Sequence, residues 1–184
     1  NLEEYCSDYS GYLNNMPIAV VFPKTHAECK QIINILNEFR VPLTIRGAGS
    51  GTTGGAIPLE GYVVCSLEKM NKIIDFDLKN TMIVTEPGVI LKDIQNLVEN
   101  ESLFYPLDPA SLSFCTIGGT IAENAGGARA LKYGVTKDYV IGLKGIWANG
   151  EEFNLGGKQI KNVAGYDLIH LLVGSEGTLG LITE

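Results

Sequence analysis

The chain has 184 residues, of which 45% are hydrophobic and 19% are charged, so it can bury a proper core and is not a disordered polyelectrolyte. This length fits one domain, or two small lobes that share a cleft. The net charge of −7 argues against binding to nucleic acid or anionic membranes, because such binding needs clustered Lys and Arg side chains. No apolar run reaches the roughly 20 residues that cross a bilayer, and no signal peptide is visible, so we expect no membrane insertion.

The cysteines indicate a reducing compartment. Cys6, Cys29, Cys65 and Cys115 form no C-x-x-C pair, and their spacing is unlike that of a zinc site. We therefore expect reduced, mostly buried thiols, no metal site and a cytoplasmic protein.

The first half of the chain is predicted to contain a βαβ unit with parallel strands. Residues 1–15 have no clear period, and their structure is left open. Thr25 and Glu28 form a capping box before an amphipathic helix over 26–40, whose apolar spacing runs from Cys29 to Phe39. The predicted strands are 18–22, 43–45, 62–65 and 82–85.

The second half alternates short helices with antiparallel strands. Ile90, Ile94, Leu97 and Val98 are predicted to face inward on a helix over 90–99, which a Pro-rich loop over 105–116 follows. Further helices are predicted over 117–124 and 167–173, and strands over 140–148, 152–155 and 179–183. The dipeptide at 149–150, Asn-Gly, predicts a type I′ hairpin turn between two of these strands.

These elements predict an α+β fold with two lobes. After an N-terminal lead-in over 1–15, a small βαβ lobe spans 16–75. A larger lobe, with antiparallel strands and helices, spans 76–184.

More than half of the 22 glycines lie in three short segments, 47–55, 118–127 and 174–180. The first follows a strand, but Thr52 stands where a Rossmann fingerprint needs its third glycine, and Gly55 stands where a Walker loop needs lysine. Two interpretations of this loop remain: backbone N–H groups and hydroxyls that bind phosphate, or a structural loop. Arg46, just before it, either adds charge to the site or pairs with an acidic residue.

The other two glycine segments are ambiguous by themselves. Gly118 and Gly119 begin a predicted helix, which either offers free N–H groups to an anion or packs tightly against a sheet. The segment 174–180 is typical of a turn before the last strand.

Together these motifs resemble the FAD-binding domain of the vanillyl-alcohol-oxidase (PCMH-type) class. The similarity is to the branch with the glycolate oxidase flavin subunit, D-lactate dehydrogenase and D-2-hydroxyglutarate dehydrogenase. The matching segments are 17–23 (PIAVVFP), 46–55 (RGAGSGTTGG), 86–88 (EPG), 108–111 (DPAS), 117–127 (IGGTIAENAGG), 132–136 (KYGVT), 165–168 (GYDL) and 174–180 (GSEGTLG). One departure is Leu107, where the family often has Asp directly after Pro.

The resemblance implies an extended, non-covalently bound FAD between the two lobes, with its pyrophosphate on the 47–55 loop. It places Glu176, Gly177, Gly180 and Ile182 near the adenosine portion, whereas Gly127 lets the cofactor pass closely. The full set of implied cofactor-binding residues is Arg46, Gly47, Ala48, Gly49, Ser50, Gly51, Thr52, Gly54, Pro58, Pro106, Asp108, Ser111, Thr116, Gly118, Gly119, Ala122, Asn124, Gly126, Gly127, Glu176, Gly177, Gly180 and Ile182.

The function that the resemblance implies is that of a flavin-dependent 2-hydroxy-acid oxidoreductase, which transfers a hydride from substrate to flavin N5. Its substrate would bind through a C-terminal cap domain that is absent here, and a partner subunit or electron acceptor is possible. No catalytic residue is assigned: His26 is expected to be solvated and His170 to lie beside the core. We therefore expect this chain alone to be inactive.

Two alternatives remain at the level of sequence. One is a non-catalytic FAD-binding module or subunit. The other is the reductase of UDP-N-acetylenolpyruvylglucosamine, which fits less well because it lacks the sequence motif found here at 174–180.

Overall fold

A computed structural model describes residues 1–12 and 15–184, and within these ranges the strands fall into three small sheets. The first sheet contains β1 (Ala19–Val21), β2 (Leu43–Arg46) and β3 (Val63–Ser66). All of its pairs are parallel, and β3 lies between the other two strands with every residue buried. The predicted parallel arrangement of the first two strands is confirmed, although they do not pair with each other.

Helix α1 (His26–Phe39) connects β1 to β2. The Thr25 hydroxyl accepts a hydrogen bond from the Glu28 N–H at 3.2 Å, as predicted, but the Glu28 carboxylate accepts from Lys24 rather than from Thr25. Cys29 and Ile33 are buried, whereas Phe39, at the end of the predicted apolar spacing, is 69% exposed. The buried residues of this helix therefore end at Ile33.

The second sheet is a hairpin of β4 (Ile73–Asp77) and β5 (Met82–Thr85). Only β5 was predicted, although apolar and acidic residues alternate from Ile74 to Leu78, so the sequence signal for β4 was missed. The boundary predicted between residues 75 and 76 falls within β4, and the division into lobes stays a prediction.

Helix α2 (Leu91–Asn100) packs beside this hairpin. Its buried residues are Leu91, Ile94, Gln95 and Val98, so Leu91 and Gln95 replace Ile90 and Leu97 of the predicted inward face. The Gln95 amide donates hydrogen bonds to the carbonyls of Tyr105 and Leu107, which fixes the loop over 105–116.

The third sheet has the order β7–β6–β8 and is antiparallel, as predicted. Its strands are β6 (Gly142–Trp147), β7 (Glu152–Gly156) and β8 (Gly180–Ile182), and the short helices nearby are α3 (Ile117–Glu123), α4 (Ala130–Tyr133) and α5 (Leu168–Leu172). Helix α4 was not predicted.

The turn between β6 and β7 differs from the prediction. A type I′ turn needs a positive φ at both central residues. Gly150 has a φ of 87°, but the φ of Asn149 is not positive. The Gly150 N–H instead donates to the Trp147 carbonyl at 2.9 Å, so the turn closes one residue earlier.

A shared hydrophobic core joins the parallel sheet to the third sheet. Cys29, Cys65 and Met70 from the first half of the chain pack with Ile146 and Leu181 from the second half. The two predicted lobes are thus held together by apolar contacts as well as by the chain.

Candidate functional site

The glycine-rich segments meet at a cleft of about 630 Å³. One wall is the loop after β2, a second is helix α3 with the residues after it, and Glu176 from the loop before β8 completes the lining. Ser111 and Phe114 from the Pro-rich loop also line the cleft. Segments that are distant in sequence thus enclose one site, as the resemblance implies.

Most of the predicted cofactor-binding residues line this cleft or the cavity beside it. The cleft is lined by Gly47, Ala48, Gly49, Ser50, Gly51, Thr52, Ser111, Gly119, Ala122, Asn124, Gly126 and Glu176. A smaller adjoining cavity of about 50 Å³ is lined by Thr116, Gly118, Gly177, Gly180 and Ile182, and it shares Gly47, Gly119, Ala122 and Glu176 with the cleft.

Six of the predicted residues lie outside these two cavities, including Arg46, which is buried beside the glycine loop. Pro58 and Pro106 are buried, and Gly54 lines a separate depression beside Tyr12. A Cβ on Gly127, whose φ is 147°, would collide with the Asp108 carbonyl, so this glycine packs on Asp108. The Asp108 carboxylate in turn accepts from the Arg129 N–H at 3.0 Å.

The loop over 47–55 offers an unusual run of free hydrogen-bond donors. None of the backbone N–H groups from Gly47 to Gly55 donates to an acceptor within the described part of the chain. The loop is anchored instead through its carbonyls: Gly51 accepts from the Tyr9 N–H and Gly54 from the Ile57 N–H, both at 3.1 Å. Such consecutive free N–H groups can bind phosphate oxygens without a lysine.

Arg46 is 7% exposed and supports the loop from behind. Its guanidinium donates to the carbonyls of Ser7 at 2.8 Å, Ala56 at 3.1 Å and Glu4 at 3.4 Å. Burial lowers the pKa of this side chain from its usual value. The hydrogen bonds of Arg46 thus go to backbone carbonyls and tie the N-terminal segment to the glycine loop, whereas its contribution of charge to the site stays a prediction.

The start of helix α3 does not offer free N–H groups to an anion. The Ile117 and Gly118 N–H groups donate to the carbonyls of Val89 and Pro87 at 2.8 Å, and the Gly119 N–H donates to the Thr116 hydroxyl at 3.2 Å. A Cβ on Gly118 would lie 2.6 Å from Pro87 Cβ. The contacts thus favour tight packing, here against Pro87, over free donors at this helix start.

Two carboxylates line the cleft and lie directly against the glycine loop. The Thr53 hydroxyl lies 3.3 Å from both Glu123 oxygens and 3.0 Å from Glu176 Oε2. Burial, followed by the charge of Glu176, raises the pKa of Glu123. Glu123 lies inside a recognised motif but was not predicted as a site residue; its position in the cleft depends on the packing of α3 against the loop.

Two aromatic residues of the cleft were also missed. Tyr9 and Phe114 line it, and their ring centroids are 5.4 Å apart. Tyr9 lies in a segment without periodicity and Phe114 in an irregular loop, so no sequence signal identified either one.

The cysteines and histidines form no reactive group in the cleft. All four cysteines are buried, as predicted, and burial raises the pKa of the Cys29 and Cys65 thiols to about 12. Cys115 lines the cleft, but burial raises its pKa as well. His26 and His170 lie elsewhere, where His26 binds Thr183 and Glu152 and His170 binds Asp167.

Within the described residues, no helix is long and apolar enough to cross a membrane. Nor does that part of the chain contain a group of three or more His, Cys, Asp or Glu side chains placed to hold a metal ion.

The chain is similar in sequence and in fold to several known proteins. The family model described as "FAD binding domain" matches residues 17–156. Glycolate oxidase subunit GlcD of Bacillus subtilis (strain 168) is 49% identical over 180 residues, which are 98% of this chain and 38% of that protein. A D-lactate dehydrogenase of Archaeoglobus fulgidus is 44% identical over 165 residues, 90% of this chain and 37% of the relative. A D-2-hydroxyglutarate dehydrogenase of Xanthomonas citri pv. viticola is 37% identical over 184 residues, 100% of this chain and 39% of the relative.

Among solved structures, an alkyldihydroxyacetonephosphate synthase matches with a TM-score of 0.80 and 27% identity over 92% of this chain and 31% of its own. The chain thus spans less than two fifths of the length of each of these relatives.

Proposed function

Because the chain belongs to the FAD binding domain family, we propose that it holds FAD non-covalently in the cleft, as the flavin-binding part of a 2-hydroxy-acid dehydrogenase or oxidase. The observation that carries this proposal is the run of free N–H groups in loop 47–55, of which those from Gly47 to Thr52 belong to residues that line the cleft.

The residues of the cleft fit such a cofactor. Consecutive amide donors suit the oxygens of a pyrophosphate, and a volume of about 630 Å³ lies in the range of small-molecule sites. The residues that would hold FAD are the predicted set that lines the cleft and its adjoining cavity, with Glu176, Gly177, Gly180 and Ile182 proposed for the adenosine portion. Arg46 keeps the loop in place from behind.

The roles of this chain are to bind the cofactor, to orient it and to exclude water from one of its sides. When bound, FAD would supply the hydride acceptor for oxidation of the substrate. Non-covalent attachment is supported by Cys115, whose raised pKa keeps the thiol protonated and weakly nucleophilic. A cytoplasmic location is proposed on the four free, buried cysteines, which suit a reducing compartment.

Ala48 gives the sharpest test, because it is exposed and lines both the cleft and the cavity beside Arg46. Ala48→Asp places a carboxylate at the proposed pyrophosphate site, and at an effective dielectric of about 20 a like charge at contact distance costs several kcal/mol. We expect FAD titration, followed by flavin fluorescence, to give a Kd at least about tenfold higher than that of the unchanged protein.

The matched control is Ala48→Asn, which has nearly the same shape without the charge and is expected to bind FAD almost as tightly as the unchanged protein. Equal Kd values for the Asp and Asn variants would contradict a pyrophosphate on this loop.

A further inference from the structure

The contacts of the Thr53 hydroxyl are incomplete without an additional proton. Its oxygen lies within 3.3 Å of three carboxylate oxygens, two from Glu123 and one from Glu176. A hydroxyl has a single proton to donate, and an ionised carboxylate only accepts hydrogen bonds. Thr53 can therefore donate to one of the two carboxyl groups and accept from the other, but only if that other group is protonated.

Both carboxyl groups lie directly against the glycine loop. A Cβ on Gly51 would be 2.9 Å from Glu123 Oε1, and one on Gly55 would be 2.6 Å from Glu176 Oε2. The main chain holds them there: the Glu176 N–H donates to the Ala122 carbonyl at 2.9 Å, and Glu176 has a φ of 52°. The pair thus faces the donors that are proposed to receive a pyrophosphate.

Among the described residues, the surroundings of the pair contain negative charge and no cation that compensates it. Glu123 is the last residue of α3, where the helix dipole also disfavours a carboxylate, and Asp8 of the N-terminal segment adds a further negative charge. Loop 47–55 has no charged side chain. Within the described residues, no Lys, Arg or His nitrogen lies within 4.0 Å of either carboxylate, since Arg46 points to backbone carbonyls.

We propose that Thr53, Glu123 and Glu176 form a proton-linked part of the cofactor site, in which binding of FAD is coupled to uptake of one proton by the Glu123–Glu176 pair. This inference rests on the proposed FAD function. A pyrophosphate on the loop adds negative charge beside two carboxyl groups, and a proton taken from solvent onto one of them removes the repulsion. That proton also completes the hydrogen bonds of Thr53.

The sign of the pH dependence follows from this coupling. The pKa of Glu123 is already raised by burial and by Glu176, and a bound anion raises it further. The complex then holds more protons than the free protein, so affinity for FAD falls as pH rises, by at most about tenfold per pH unit for one proton. The pyrophosphate of FAD does not titrate in this range.

The experiment measures the Kd of FAD between pH 6 and pH 8 for the unchanged protein and for Glu123→Gln. We expect Kd to rise with pH in the former and to be nearly constant in the latter, because Gln keeps the shape but takes up no proton. Glu99→Gln, an exposed change on α2, is the matched control and should keep the pH dependence.

Calorimetry of the unchanged protein in two buffers of different ionisation enthalpy measures proton uptake without any variant. A heat of binding that depends on the buffer supports the coupling, and a heat independent of the buffer together with a constant Kd overturns it. Undiminished proton uptake in Glu123→Gln overturns the assignment to this pair. No binding of FAD at any pH would overturn the proposed function as well.

Discussion

At the scale of single residues, the glycine loop depends on Arg46. The guanidinium joins three backbone carbonyls from two segments of the chain, so its loss leaves buried acceptors without donors. Gly49 is part of the same arrangement, because its φ is 68° and a Cβ there would collide with the Arg46 guanidinium. A bulky residue at position 49 would therefore act first on the shape of the loop and only through it on the cofactor.

We expect Arg46→Ala to lower the free energy of unfolding by about 2–3 kcal/mol, because charged hydrogen bonds to buried groups are lost. Urea denaturation measures this change. The matched control is Arg129→Ala, since Arg129 is half-exposed and pairs with Asp108 at 3.3 Å, a contact expected to contribute about 0–1 kcal/mol. Equal losses for the two variants would show that the carbonyl contacts of Arg46 contribute little.

At the scale of elements, the N-cap residue of helix α1 shows how the local sequence determines where a helix begins. Thr25 caps the helix through its hydroxyl, in a β conformation with a φ of −144°. Thr25→Ala removes the acceptor for the Glu28 N–H and is expected to cost about 1 kcal/mol of stability, seen as a lower Tm. Thr25→Ser keeps the acceptor, so a loss as large as that of the Ala variant would contradict the capping role.

Not every contact of an element follows from its local sequence. Helix α3 begins with the Ile117 and Gly118 N–H groups already donating to the Val89 and Pro87 carbonyls. A neighbour in space therefore decides whether these donors are free.

At the scale of the whole molecule, the described residues that line the proposed FAD cleft include no Lys, Arg or His side chain. Oxidation of a 2-hydroxy acid needs a group that binds the substrate carboxylate and a base placed near its hydroxyl. Among the described residues, Arg46 is committed to backbone carbonyls, and Arg129 pairs with Asp108. The chain also spans less than two fifths of the length of its relatives.

We therefore expect the FAD-loaded chain of 184 residues to show no saturable turnover of lactate, glycolate or 2-hydroxyglutarate in a dye-coupled assay. Binding of FAD in the same preparation, seen by its absorbance spectrum, controls for loading. Saturable turnover of any of the three acids would place the substrate site within these residues.

The sequence by itself determined the order of most elements, the α+β class and the cofactor family. Those conclusions rest on short-range signals: the cap at Thr25, the apolar period of α1 and α2, and the glycine motifs around Gly49 and Gly119. Such signals can be recognised in the sequence because capping hydrogen bonds, helical faces and positive φ angles involve residues only a few positions apart.

Only the tertiary structure decided how the site is built. The Arg46 guanidinium donates to carbonyls of the N-terminal segment. The N–H groups at the start of α3 donate to the carbonyls of Pro87 and Val89. The Thr53 hydroxyl contacts the carboxylates of Glu123 and Glu176. Each of these contacts joins residues that are tens of positions apart or more. Which donor meets which acceptor at such distances depends on how sheets and helices pack, because packing fixes the few geometries in which a hydrogen bond forms.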